Sequence, residues 1–166
     1  LFHRRYAVPD NVVILDGGTQ GLYLVQFVQE ADRLIVFDAI DYGLTPGTLK
    51  LVENDEVPKF TGAKKMSLHQ TGFQEVLSAA DLTGRYPEKL VLIGCQPQDL
   101  EDWGGPLTPP VRGALDLAVE TAAVVLGQWG VRCTPRGVET TFEALLANDI
   151  DHASYERRLV AAPVQG

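Results

Sequence analysis

The nine residues KLVLIGCQP, Lys89–Pro97, decide how this chain folds. Leu90, Val91, Leu92 and Ile93 follow one another with no polar residue between them, so a strand built from them has no face to give to water. Pro97 halts it, because proline has no N–H to donate to a ladder. A strand buried on both faces belongs in a sheet covered by helices on each side, and the flanking sequence supplies the other parts.

Upstream, RLIVFDAI (Arg33–Ile40) is a second apolar run, ending at Asp38, and VVILDGG (Val12–Gly18) reads as a third, broken by glycines into a tight loop. A turn around Gly43, Pro46 and Gly47 precedes a shorter strand that alternates through Leu49 and Leu51. Between these runs the period changes. Leu22, Val25 and Val28 fall near helical spacing, as do Phe73, Val76, Leu77 and Ala80, which predict a helix from near His69 to about Ala80. A long helix is expected from about Pro110 to Trp129, with Gly130 as its stop. Strands alternating with helices predict a three-layer α/β/α domain around a mostly parallel sheet over residues 1–135. Residues 136–166 read as an appendage, helical or loose.

With 166 residues, 45% of them hydrophobic and 22% charged, the chain has the profile of one globular domain. A formal charge of −8 argues against a general nucleic-acid binder, which needs a basic face to displace counterions from phosphate. No apolar run approaches the roughly 18 residues of a membrane span, and no signal-peptide pattern opens the chain, so the cytoplasm is the expected compartment. Cys95 and Cys133 show neither metal-site nor redox spacing; Cys95, at the end of an apolar run, reads as a structural thiol.

Active sites in such sheets gather at the carboxyl ends of the strands. There stand Asp16, and Asp38 with Asp41. An aspartate directly after an apolar run is costly to bury unless it is paired, hydrogen-bonded or bound to a metal; the alternative is a loop residue that accepts backbone N–H bonds. His69 opens a predicted helix, where it can cap, pack or bind a metal. The positive end of the helix dipole disfavours the imidazolium and keeps the ring in the neutral form that a metal requires. One aspartate and one histidine are fewer ligands than an open catalytic metal site usually has, so the residues alone leave these readings open.

Four stretches go further together: ILDGGTQGLYLVQFV, LIVFDAIDYGLTPGTLK, KKMSLHQTGFQEVL and LVLIGCQPQDLEDWGGPLTPPVRGAL. In order and spacing, over residues 1 to about 130, they resemble the hydrogenase maturation endopeptidases, in the branch that processes uptake [NiFe]-hydrogenases. The resemblance implies an α/β protease that recognises nickel already inserted into the large-subunit precursor and removes the precursor's C-terminal extension. It implies that Asp38 and His69 are catalytic-site metal ligands, and that Asp16, Gly17, Gly18 and Thr19 lie beside the cleft and recognise substrate. Members of that family begin with a strand, a glycine-rich loop and an acidic segment that supplies a third ligand. This chain opens at Leu1 with its only methionine at Met66. The family's first strand and most of its first helix are therefore expected to be missing, with the third ligand upstream of Leu1. The expected partner is the large-subunit precursor, with neither nucleic acid nor membrane. A non-catalytic nickel-sensing module for the same precursor, or an inactive fragment of the protease, is the alternative reading.

Overall fold

A computed structural model describes residues 1–17, 21–57, 68–99 and 106–137, without the side chains of residues 21–22 and 68–72. The elements in chain order are α1 (Phe2–Arg5), β1 (Tyr6–Ala7), a 3-10 turn (Gly21–Leu24) running into α2 (Val25–Glu30), β2 (Arg33–Ala39), β3 (Leu49–Glu53), α3 (Leu68–Leu82), β4 (Lys89–Cys95), α4 (Pro109–Gln128) and β5 (Thr134–Pro135). The run that opened the sequence reading is the centre of the main sheet, in the strand order β2-β4-β3. β2 lies parallel to β4 through seven register pairs, from Arg33↔Lys89 to Ala39↔Cys95. β3 is antiparallel to β4, from Leu49↔Cys95 to Glu53↔Val91, so the sheet is mixed.

Helices cover both faces. Leu90 and Leu92 point to one side, into a core with Val28 of α2 and Val76, Leu77 and Ala80 of α3, joined by Leu34 and Val36 of β2. Val91 and Ile93 point to the other, against Ala118, Ala122 and Val125 of α4. Complete burial of each of these leucines contributes on the order of 1.5–3 kcal/mol. The α4 stripe is rich in alanine, and small side chains let the helix sit close to the β-branched residues beneath it. Pro109 and Pro110 occupy its first turn, where the missing N–H groups have no helical partner in any case.

Both long helices stop the same way. After α4, Gly130 (φ +82°) lets its own N–H reach Gly127 O at 3.0 Å and the Val131 N–H reach Leu126 O at 2.9 Å. After α3, Gly84 (φ +68°) does the same, with Gly84 N–H to Asp81 O at 2.9 Å and Arg85 N–H to Ala80 O at 3.1 Å. These are Schellman closures, which satisfy carbonyls that the helix leaves without partners.

The sheet departs from expectation at Val12–Gly18. Residues 12–17 form no strand, and Val13 and Leu15 are 72% and 47% exposed. A strand needs a ladder partner, and among the described residues none pairs with this segment; Val12 N–H bonds Pro9 O at 2.9 Å in a turn instead. The short pairing of β1 with β5 has no counterpart in the sequence reading. It brings the start of the chain to residues 134–135, and Arg5 pairs with Asp116 of α4 beside it. The appendage from residue 138 onward lies outside the described residues.

Candidate functional site

Asp38 is the sixth residue of β2. Since Leu34 and Val36 face α2 and α3, the period of two places Asp38 on that same face, at the carboxyl end of the strand. It is half-buried, and its Oδ1 accepts the Ala39 N–H at 2.8 Å. Across the sheet it stands in one row with Gly94 of β4 and Lys50 of β3.

Tyr42 fills that row. Gly94 leaves room above the sheet, and the phenol ring of Tyr42 enters it: a Cβ at position 94 would come within 3.0 Å of the ring carbon Cε2 and overlap the hydroxyl. The Lys50 ammonium lies 5.0 Å from the ring centroid, a cation–π contact. Burial first, and the Asp38 carboxylate second, push the Tyr42 phenol up to about 12. Below that pH the phenol beside Asp38 stays neutral and keeps its proton.

α3 begins at the same end. Its carboxyl end is tied by a short link to the start of β4, with Glu88 N–H on Asp32 O at 2.8 Å. At about 1.5 Å per residue, its 15 residues span roughly the length of β4 at about 3.3 Å per residue. The helix therefore runs back along the sheet and starts where β2 and β4 finish. His69 is the second residue of α3, with its side chain outside the described residues.

The acidic loop comes from the third side. α2 leads through Ala31 and Asp32 straight into β2, so the 3-10 turn before it lies further from the start of β2 than α2 does. Gly17 lies against this turn, where a Cβ would meet Leu24 Cδ1 at 3.4 Å. Asp16 is exposed, and Gly18 and Thr19 lie outside the described residues. Asp38 and the first turn of α3 thus share one end of the sheet, and Gly17 lies against the turn that opens into α2. Among the described residues no group of three His, Cys, Asp or Glu side chains is gathered for a metal.

Two features of this end were not found by sequence reasoning. One is Tyr42 over Gly94. The other is Gln96, directly after β4, whose side chain holds the loop leaving β2. A polar residue following a fully apolar strand was the signal, since such a residue is buried only when its hydrogen bonds are met. Cys95 is half-buried with its thiol pushed up by burial, which keeps it protonated and makes it a poor nucleophile.

The fold of this chain resembles that of a solved endopeptidase. The hydrogenase maturating endopeptidase HybD from Escherichia coli superposes with a TM-score of 0.75 at 41% identity, covering 81% of this chain and 83% of that one. The hydrogenase expression/formation protein HupD of Bradyrhizobium diazoefficiens is 73% identical over 158 residues, 95% of this chain and 82% of that protein. HupD of Rhizobium leguminosarum bv. viciae is 72% identical over 157 residues, 95% and 78% of the two chains. The sequence profile of the hydrogenase maturation proteases matches residues 1–124. The chain belongs to the hydrogenase maturation protease family, a family of hydrolases with an α/β fold. No helix among the described residues is long and apolar enough to cross a membrane.

Proposed function

We propose that this protein is the cytoplasmic endopeptidase that removes the C-terminal extension of a [NiFe]-hydrogenase large-subunit precursor once nickel is in place. Asp38 and His69 dock the substrate by binding its nickel. The observation that carries this reading is the position of Asp38 on the α3 face, at the end of the sheet where the helix bearing His69 begins.

The chemistry follows from the donor set. Nickel arrives held by thiolates of the precursor, and accepts a carboxylate oxygen and an imidazole nitrogen as further ligands. A precursor without the metal forgoes both of these contacts. Precursor that carries nickel is bound at two more points, and its tail is laid into the cleft beside Asp16 to Thr19. Recognition then depends on the cargo, which delays cleavage until insertion is complete.

The test is mass spectrometry of nickel-loaded precursor incubated with the protein and with Asp38→Asn and His69→Ala. The wild type shortens the precursor at its C-terminus, and each variant slows this by at least about tenfold. Unchanged cleavage by both variants would overturn the assignment of the ligands. A precursor bound but never shortened by the wild type would make the protein a nickel-sensing binding module.

A further inference from the structure

We propose that Gln96 is a positioning residue: its buried carboxamide locks the loop that leaves Asp38, so that the carboxylate is set for the substrate's nickel before the precursor arrives. The inference rests on the reading of Asp38 given above.

Gln96 is 6% exposed and is the one buried polar residue among the described residues. Its amide has two acceptor positions and two donor positions, and all four are used. Oε1 accepts the N–H groups of Tyr42 at 2.7 Å and Leu44 at 3.1 Å. Nε2 donates to Asp41 Oδ1 at 3.0 Å and to Pro97 O at 3.2 Å. Its backbone adds two more bonds, donating to Thr48 O at 2.9 Å and accepting from Gly47 N–H at 2.8 Å. One residue therefore touches the loop between β2 and β3 at positions 41, 42, 44, 47 and 48.

That loop crosses over the end of β4, because β2 and β3 lie on opposite sides of it. It contains no strand or helix, and it starts immediately after Ala39. The strand pairing itself does not depend on Gln96, since the register of β2 with β4 is complete by Ala39↔Cys95. What Gln96 determines is the path of the chain just beyond. Asp38 Oδ1 bonds the Ala39 N–H, so the direction of the carboxylate follows the backbone at 38–39. Tyr42, which neighbours Asp38 over Gly94, is held by the same carboxamide. Such support spares the ligand an ordering cost on binding.

The polarity of the network defines the variant. In Gln96→Glu the oxygen facing Tyr42 and Leu44 still accepts, while the other now confronts the Asp41 carboxylate and the Pro97 carbonyl. Dissociation constants are measured in the full chain by stopped-flow fluorescence, before cleavage, for nickel-loaded and nickel-free large-subunit precursor. The proteins are wild type, Asp38→Ala, Gln96→Glu and the double variant. Gln96→Glu is expected to weaken the loaded precursor about tenfold and leave the nickel-free one unchanged, and the double variant to bind no worse than Asp38→Ala alone.

Equal weakening of both precursors, additivity with Asp38→Ala, or no effect of Gln96→Glu would each overturn the inference while leaving Asp38 its role. Loaded precursor bound equally well by Asp38→Ala would overturn that role, and the inference with it. Should Gln96→Glu not fold, as judged by circular dichroism, Asp41→Ala replaces it. That variant removes one Nε2 acceptor from a half-buried loop position, and the same pattern is required of it.

Discussion

The ring of Tyr42 occupies the space that a side chain at Gly94 would fill, and this contact joins the loop after β2 to the centre of the sheet. Gly94→Ala should therefore push Tyr42 outward and take the loop with it. The expected cost is about 1–3 kcal/mol of stability, typical of overpacking a filled site, read as a lower urea midpoint with an unchanged slope. Precursor processing should fall with it, whereas Gly113→Ala, in α4 where a Cβ meets nothing within 4 Å, should leave processing unchanged.

The same burial makes stability depend on alkaline pH. The Tyr42 phenol titrates at about 12 in the folded protein, against an ordinary value of 10.0. Between those values the folded state holds a proton that the unfolded chain has released, so the stabilisation is complete below pH 10 and is lost as pH rises through 12. The midpoint of urea unfolding should fall over this window, and Tyr42→Phe should remove part of the fall. Tyr86, whose phenol is also raised, by burial and then by Asp81 and Asp55, accounts for a remaining slope.

Where the sequence was legible, one physical cause set the element. β4 and β2 are continuous apolar runs, α3 and α4 repeat their apolar residues at helical spacing, and the glycine after α4 takes the left-handed conformation that its position suggested. Val12–Leu15 has the composition of a strand, but composition does not supply a neighbour, and nothing among the described residues pairs with the segment. Asp38 was legible as a strand-end acid. The Gln96 network was not, because its partners are mostly backbone N–H and C=O groups, which every residue carries and no sequence pattern marks. The antiparallel course of β3 was also hidden, since the loop from Ile40 to Thr48 has to cross β4 before the direction is fixed.

Core truncation should separate the buried positions from the exposed ones. Leu92 and Leu77 are almost fully buried in the core shared by α2, α3 and β4. Leu92→Ala or Leu77→Ala should each cost about 2–5 kcal/mol, the transfer of the lost carbons together with the cavity left behind. Leu82→Ala, at an exposed position in the last turn of α3, should stay within about 0.5 kcal/mol. Urea unfolding of the three variants checks the ordering, and a cost at Leu82 comparable to that at Leu92 would contradict the assigned core.

Two glycines with nearly the same backbone angle should respond differently to the same substitution. Gly47 (φ +83°) and Gly130 (φ +82°) both occupy the left-handed region, where an alanine costs about 1–2 kcal/mol from its own Cβ. At Gly130 nothing lies within 4 Å of an added Cβ, so Gly130→Ala should show that backbone cost alone. At Gly47 the Cβ would stand 2.8 Å from the carbonyl carbon of Pro110, in the first turn of α4, and neither backbone can yield without moving an element. Gly47 N–H also bonds Gln96 O at 2.8 Å, so displacement there disturbs the loop above the site. Gly47→Ala should be the more destabilising of the two by at least about 1 kcal/mol and should reduce processing of nickel-loaded precursor, while Gly130→Ala should lower the melting temperature and leave processing at equal folded concentration unchanged. Equal losses of stability would mean that the approach of the loop to α4 is looser than the structure shows.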